Sequence, residues 1–464
     1  MRTERIYIYH TNDMHSHFTN WPGISGELKR RRREHESRGE SMLLFDMGDH
    51  IDRFHPFTEA TKGRGNVELL NECGYDAVTI GNNEGITLSK EDLSSLYSSA
   101  RFDCLICNLL DERGKIPAWA KPYRFFETLC GTKIGVIGVT VSYDRFYSQL
   151  GWKTVEPFEA LAQWVPTVRE LADIVIVLSH LGLSEDERMA AEFPGIDLIL
   201  GGHTHHVLEK GKRVSGCLLC STGKYGQHVG RVELIYSPEE KRLLEKKATL
   251  LPADRFPSAI DGTDFERDLQ EKGKLLLNRP VAFLPKRLET DWFRETELNR
   301  MLCEGLTEWC SADASFINAG ILLDDLPEGL ITEYDIHRIC PHPINPCTVR
   351  LTGSQLKEVV SQLKEDQYSS LELKGFGFRG KVFGTIIYDQ IETKGTGEAL
   401  KIRIGGKDLE PERLYTIATV DVFVIARFYP LLVRAEKQFF LPEFIRDVLR
   451  RVLESRYPLP AVSG

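Results

Sequence analysis

Short apolar runs alternate with amphipathic stretches through the first half of the chain. The runs at 6–9, 42–45, 77–80, 104–107, 133–139, 174–178 and 198–200 are brief and aliphatic, the pattern of buried strands. Between several of them, 23–36, 65–73, 157–172 and 185–193 carry apolar residues at helical spacing. Strand and helix in alternation predict an α/β domain. The pattern shifts between 237 and 290. Residues 237–242 read as a hairpin turn, 265–277 as a long polar helix, and Pro280 as its stop, because proline lacks the N–H that a helix continues through. Beyond it the helical patterns 295–309, 354–363 and 442–455 mix with strand patterns at 314–317, 382–388, 400–404 and 415–419. The expected organisation is a domain over 1–255, a linker helix over 256–280 and a second domain over 281–464.

Length agrees with this division, since 464 residues exceed one ordinary core. A net charge of −9 gives no basic footprint for a nucleic-acid polymer. The basic run 29–33 falls in a helical pattern and reads as a solvated face. No apolar run is long enough for a membrane span, so no membrane partner is expected. The chain enters a strand pattern directly after Met-Arg-Thr-Glu-Arg, without the apolar core of a signal peptide. The ten cysteines are scattered, and Cys104/Cys107 and Cys217/Cys220 sit inside apolar runs. They read as free thiols rather than a zinc site, and the expected location is cytoplasmic.

The candidate chemistry lies in five polar clusters at or just beyond predicted strand ends, where open α/β sheets collect ligands. They are Asp13-Met-His15, Gly48-Asp-His-Ile-Asp52, Gly81-Asn-Asn-Glu84, Ser179-His180 and Gly202-His-Thr-His205. Asp13 and His15, two apart on extended backbone, point the same way. Asp49 has two oxygens and can bridge two ions. Asn82 offers a carbonyl oxygen, and His180, His203 and His205 offer imidazole nitrogens. Such mixed nitrogen and oxygen ligands, without thiolate, suit two divalent ions of Mn, Zn, Fe or Co and are less suited to Mg or Ca. Two ions 3.5–4 Å apart would clamp an in-line displacement at phosphorus, in roughly the geometry of two-metal phosphatases. No Gly-x-Ser-x-Gly nucleophile motif is present.

In this order the clusters resemble the calcineurin-like metallophosphoesterases, and more narrowly their two-domain 5′-nucleotidase branch. Thr11-Asn-Asp-Met-His-Ser-His17 is similar to that branch's opening motif, and Asn318-Ala-Gly320, Gly329-Leu-Ile-Thr332 and Leu351-Thr-Gly353 to its C-terminal pattern. The resemblance covers nearly the whole chain. It implies a four-layer α/β/β/α catalytic domain and a C-terminal substrate domain. It implies one ion on Asp13, His15, Asp49 and His205, and another on Asp49, Asn82, His180 and His203. It also implies hydrolysis of a phosphoester in a nucleotide or related small molecule by metal-activated hydroxide. Nucleotide-sugar, dinucleotide or cyclic-nucleotide hydrolysis, and weakly catalytic nucleotide binding, are the alternatives.

Two departures stand out. The family's Gly-Asn-His-Glu, followed two residues on by Asp, reads here Gly81-Asn82-Asn83-Glu84 with Ile86 at the Asp position. Asparagine cannot donate a proton at neutral pH. Asn83 thus occupies the catalytic position, with His50, His17 or His228 as substitutes. The family's two base-stacking aromatics have Phe378 as the first candidate and Phe428 or Tyr429 as the second. Asn318 is a further candidate substrate residue.

Overall fold

The computed structural model describes residues 3–364, 369–370, 375, 377–426 and 429–460. The chain separates into two compact units, Met1–Gly273 and Lys274–Gly464.

The first unit is built on two six-stranded sheets. One runs Arg242–Pro252, His228–Ser237, Glu4–Thr11, Ser41–Asp46, Ala77–Val78, Asp103–Cys104. The other runs Lys212–Val214, Cys217–Cys220, Leu198–Gly201, Ile174–His180, Lys133–Thr140, Tyr123–Glu127. Strand alternation explains the packing. Ile134, Val136, Ile174, Ile176 and Leu178 face Ile6, Ile8, Phe45 and Val232 of the other sheet. Their neighbours Ile137, Val139, Val175 and Val177 face outward, toward Leu161 and Val165 of helix Pro157–Leu171 and Met189 of helix Leu183–Glu192. A strand buried on both faces needs apolar residues at every position, hence the continuous runs.

On the far side helix Trp21–Ser37 covers the first sheet. Its His35 stacks on Tyr7 at 4.0 Å, and His35 Nε2 lies 3.1 Å from the Tyr9 hydroxyl. The basic run of this helix is tied locally: Arg30 and Arg31 pair with Glu27, and Arg32 with Asp76. Helix, sheet, sheet and helix give the expected α/β/β/α layering.

Two expected strands are shorter than their apolar runs. The run at 77–80 is strand only over Ala77–Val78: Thr79 N still donates to Asp46 O, and the chain then leaves the sheet through buried Ile80 and Gly81. The run at 104–107 crosses from one sheet to the other. Leu105 N donates to Val78 O in the first sheet, and Cys107 N donates to Gly138 O in the second. A Cβ at Gly138 would lie 1.9 Å from Leu105 O, so this crossing requires glycine.

The expected linker helix is Gly262–Leu276, and it is no free linker. Glu266 accepts from Phe18 N and lies 2.9 Å from His55 Nε2. A Cβ on Gly273 would lie 2.2 Å from Phe57 N, so glycine lets the helix approach this closely.

The second unit centres on a five-stranded sheet, ordered Ile386–Asp389, Ala314–Asn318, Leu414–Val420, Pro346–Thr352, Glu436–Phe439. Helices Glu297–Cys310 and Ile445–Arg456 pack together where Gly305 meets Val452. Smaller sheets join Pro280–Leu284 with Gly329–Thr332, and Ile391–Lys394 with Lys401–Ile404 and Lys407–Asp408.

The inter-sheet core sets the stability of the first unit. Leu178 is fully buried in it. Leu178→Ala is expected to lower the unfolding free energy by about 2–5 kcal/mol, read as a fall in the urea midpoint. Leu129, 73% exposed, is the control, and Leu129→Ala should change it by less than about 0.5 kcal/mol.

Candidate metal centre and its family

The polar clusters meet at one end of the two sheets. Asp13 and His15 follow strand Glu4–Thr11, Asp49 follows Ser41–Asp46, and Asn82 opens helix Asn82–Thr87. His180 ends its strand, and His203 and His205 follow Leu198–Gly201. Five of these residues take left-handed backbone: Asp13 (φ 50°), His15 (48°), Asp49 (50°), His203 (73°) and His205 (58°). Each costs on the order of 1–3 kcal/mol in a non-glycine residue and persists only where its surroundings fix it.

The surroundings are hydrogen bonds between the loops. Asp13 N donates to Gly48 O (3.0 Å), His15 N to Asp49 O (2.8 Å) and Ser16 N to His50 O (3.0 Å), so the first two loops pair beyond the end of the sheet. His203 N donates to Asp13 Oδ2 at 3.0 Å. Asn12 completes the clamp. Its amide donates to Asp13 Oδ2 and Gly223 O, and its carbonyl accepts from Thr222 N and Oγ1.

Glu84 organises the loops from beneath. Its buried carboxylate accepts from Asp49 N (2.9 Å), Gly81 N (2.8 Å) and Ile51 N (3.1 Å). Burial and the nearby Asp49 carboxylate raise its pKa, against the pull of these donors. Its spacing, three residues after Gly81, is a capping signal the sequence contains. Glycine at 81 is obligatory, since a Cβ would stand 2.0 Å from Asp49 Oδ1.

Two groups of donor atoms converge: Asp13 with His15 and His205, and Asp13 with Asp49 and His180, each within 4.8 Å. His15 Nε2 and His205 Nε2 are 3.1 Å apart, and Asp13 Oδ1 lies 3.7 and 3.3 Å from them. Asp49 Oδ1 accepts from Asn83 N at 2.7 Å. Its Oδ2 lies between the groups, 3.7 Å from His15 Nε2 and 3.5 Å from His180 Nε2. Asn82 Oδ1 and His203 Nδ1 face each other at 3.0 Å. Five of the seven expected ligands fall in these groups, with Asp13 in both, while Asn82 and His203 pair with each other and the His203 ring lies 5.2 Å from that of His180.

The donor set fits divalent cations. His180 is fully buried, and its Nδ1 lies 2.7 Å from Met47 O, to which it donates. Its Nε2 is aimed at Asp49 Oδ2, 3.5 Å away. Burial alone would lower the pKa of His180, yet Asp49 and Asp13 raise it to about 10. Burial would likewise raise the Asp49 carboxyl, but the His180 and His15 imidazoles and Asn83 N hold it below the usual range. Two buried carboxylates thus draw a proton onto a buried imidazole, marking a place where positive charge is required.

Other expected residues are placed differently. Asn83 is buried with its amide turned inward, donating to Ile51 O (2.9 Å) and lying 3.0 Å from His15 Nδ1. His50 packs edge-on against Trp21 at 5.2 Å, 3.3 Å from the Asn66 amide, and burial lowers its pKa to about 3. The His17 ring packs against Tyr225 with centroids 3.9 Å apart and planes tilted by 42°, and His228 Nδ1 lies 3.2 Å from Thr222 O. Asp52 lies 3.4 Å from His15 Nδ1, behind the ligand.

In the second unit Asn318 ends strand Ala314–Asn318. Its amide donates to Phe383 O, and its buried Oδ1 has no hydrogen-bond partner among the described residues. Phe378 is buried, stacked on His342 at 5.0 Å. Tyr429 borders a cavity of about 330 Å³ with Tyr388, Phe383 and Lys364. Phe428 lies outside the described residues.

The sequence reading passed over Tyr143. Its hydroxyl lies 3.3 Å from His203 Nε2, and burial and Asp49 push its pKa up. Its signal was positional, because it follows the end of strand Lys133–Thr140 as the other clusters follow theirs.

Comparison with known proteins agrees with this geometry. Residues 6–207 match the calcineurin-like phosphoesterase model, and 280–426 match the 5′-nucleotidase C-terminal domain. The uncharacterized metallophosphoesterase YunD of Bacillus subtilis (strain 168) is 43% identical over 458 residues, spanning 96% of this chain and 98% of that one. Protein UshA of Yersinia enterocolitica is 24% identical, over 99% and 92%. Two solved structures share the fold. The NAD nucleotidase NadN of Haemophilus influenzae has a TM-score of 0.66 at 15% identity, over 98% and 97% of the two chains. A 5′-nucleotidase precursor from Thermus thermophilus has 0.60 at 17%, over 97% and 96%. The chain is a phosphoester hydrolase of the calcineurin-like metallophosphoesterase family, with an N-terminal metallophosphoesterase domain and a 5′-nucleotidase C-terminal domain.

Proposed function

We propose that this chain is a two-metal phosphohydrolase of the cytoplasm, acting on a nucleotide or a related small phosphoester or diphosphate. The observation that carries the reading is the convergence of Asp13, His15, His205, Asp49 and His180, with Asp49 Oδ2 3.7 Å from His15 Nε2 and 3.5 Å from His180 Nε2 and with Asn82 paired to His203. In this reading Asp13, His15, Asp49 and His205 hold one ion, and Asp49, Asn82, His180 and His203 the other. Mn, Zn, Fe or Co matches their nitrogen and oxygen donors. Divalent ions bound there would acidify a water and neutralise phosphoryl charge. The protein's own part is rigid placement: Glu84 and Asn83 N fix Asp49, Met47 O fixes the His180 tautomer, and Asn12 fixes Asp13.

The substrate preference follows from Asn83. Its amide is committed to Ile51 O and His15, so position 83 supplies no acid to a leaving group. A phosphoanhydride, whose leaving group needs no proton, suits such a site better than an alkyl phosphoester. Support for the second unit's part in substrate binding comes from Asn318, whose Oδ1 has no partner among the described residues, and from Tyr429 beside its cavity. Phe378 already has His342 as its stacking partner. A cytoplasmic setting is consistent with the ten free cysteines, nine of them buried. No helix among the described residues is long and apolar enough to cross a membrane.

Asp49→Ala is expected to lower metal-dependent phosphate release by at least about a thousandfold and to lower bound metal. Undiminished release with unchanged metal content would refute the shared ligand. A screen across nucleoside mono-, di- and triphosphates, cyclic nucleotides, nucleotide sugars and dinucleotides should show diphosphates turned over faster than monophosphates. Tight binding without turnover of any of them would favour a binding protein.

Metal uptake should also release protons. In the metal-free protein His180, raised to about 10, is protonated at neutral pH, and a cation must expel that proton. Apparent affinity therefore rises with pH from 7 toward 10. Calorimetry in buffers of different ionisation enthalpy should find about one proton released at His180. A pH-independent affinity would contradict the assignment.

A further inference from the structure

The mouth of the metal centre needs a donor for the substrate's phosphoryl oxygens, and the side chains of the nearby amides are already engaged. Asn83 gives its amide protons to Ile51 O and toward His15 Nδ1. Asn82 Nδ2 donates to Asn83 Oδ1 at 3.2 Å. Tyr143 differs. It is 37% exposed, its hydroxyl lies 3.3 Å from His203 Nε2, and its ring meets His203 edge-on at 6.2 Å between centroids.

Proton bookkeeping at His203 sets what that hydroxyl can do. A neutral imidazole carries one N–H. His203 Nδ1 is the atom that faces Asn82 Oδ1, and both belong to the ligand set of the proposed two-metal reading, on which this inference rests. When Nδ1 uses its lone pair on a cation, the proton resides on Nε2. Nε2–H would then donate to Tyr143 Oη, which leaves the phenolic hydrogen for another acceptor. The other ring nitrogen of a ligating histidine commonly finds such a partner, which fixes tautomer and orientation. Here that partner is itself a donor.

We propose that Tyr143 binds substrate, its phenolic O–H donating a hydrogen bond to a non-bridging oxygen of the phosphate held at the metal centre. The role requires no ionised tyrosine and no proton transfer. It also fits the substrate preference above, since a donor to a non-bridging oxygen assists good and poor leaving groups alike.

The test is calorimetric titration of inorganic phosphate into the metal-loaded wild type, Tyr143→Phe and Tyr143→Ala, with metal content measured on the same samples. Tyr143→Phe keeps the ring and removes only the hydroxyl. It should retain wild-type metal content and bind phosphate about tenfold more weakly, the size of one hydrogen bond to a charged group. Tyr143→Ala should match it in phosphate affinity. The value of kcat/KM should fall by about the same factor for an aryl phosphate and for a nucleotide. Phosphate affinity of Tyr143→Phe within about twofold of wild type would overturn the proposal. So would loss of metal from Tyr143→Phe, which would make the hydroxyl a support for His203 alone. Because the titration needs no turnover, a wild type that binds metal and phosphate without hydrolysis would sink the hydrolase reading while Tyr143 is still judged. A wild type that takes up no metal overturns both.

Discussion

The buried carboxylate of Glu84 is the constraint on which the metal centre depends. It gathers the N–H groups of Asp49, Ile51 and Gly81, three donors from two loops that leave adjacent strands. Without an anion at this point those donors would be buried and unpaired, at a cost of about 1–3 kcal/mol each. With it, Asp49 is turned so that one oxygen meets Asn83 N and the other enters the space between His15 and His180. The left-handed backbone of Asp13, His15 and Asp49 is stabilised by the same lattice of loop-to-loop bonds. The site is rigid because its strain and its buried charge are each met by a specific partner.

A second consequence concerns division of labour in the cluster Gly81 to Glu84. Its glycine makes room for Asp49, its first asparagine faces His203, its second asparagine braces His15, and its glutamate holds the loops. Every side chain serves the arrangement of ligands, and none remains to act on a leaving group. The hydroxyl beside His203 comes instead from Tyr143, just beyond a strand end in the other sheet.

Much of this was legible in the chain. The apolar runs locate the strands because a strand buried on both faces has no polar position, and the polar clusters locate the site because they interrupt those runs at their ends. Legibility failed where one local pattern has two tertiary outcomes. The run 104–107 reads as a strand, yet it passes from sheet to sheet, which depends on Gly138 lying opposite. His50 stands beside Asp49 in sequence, but Asp49 takes left-handed backbone there and the His50 ring packs edge-on against Trp21. Phe378 has the type of a base-stacking ring, and its partner here is His342, 36 residues away in sequence.

The sequence by itself determined the inventory of candidate donors and its order: two aspartates, one asparagine and four histidines, each at or just beyond a strand end. Residue type and spacing suffice for that, because donor chemistry is local. Only the tertiary structure decided which donors share a space, which tautomer His180 adopts, that Asn83 turns inward, and that Tyr143 reaches His203. Those outcomes depend on hydrogen-bond partners contributed by strands far apart in the chain, so their geometry exists only once the two sheets have packed.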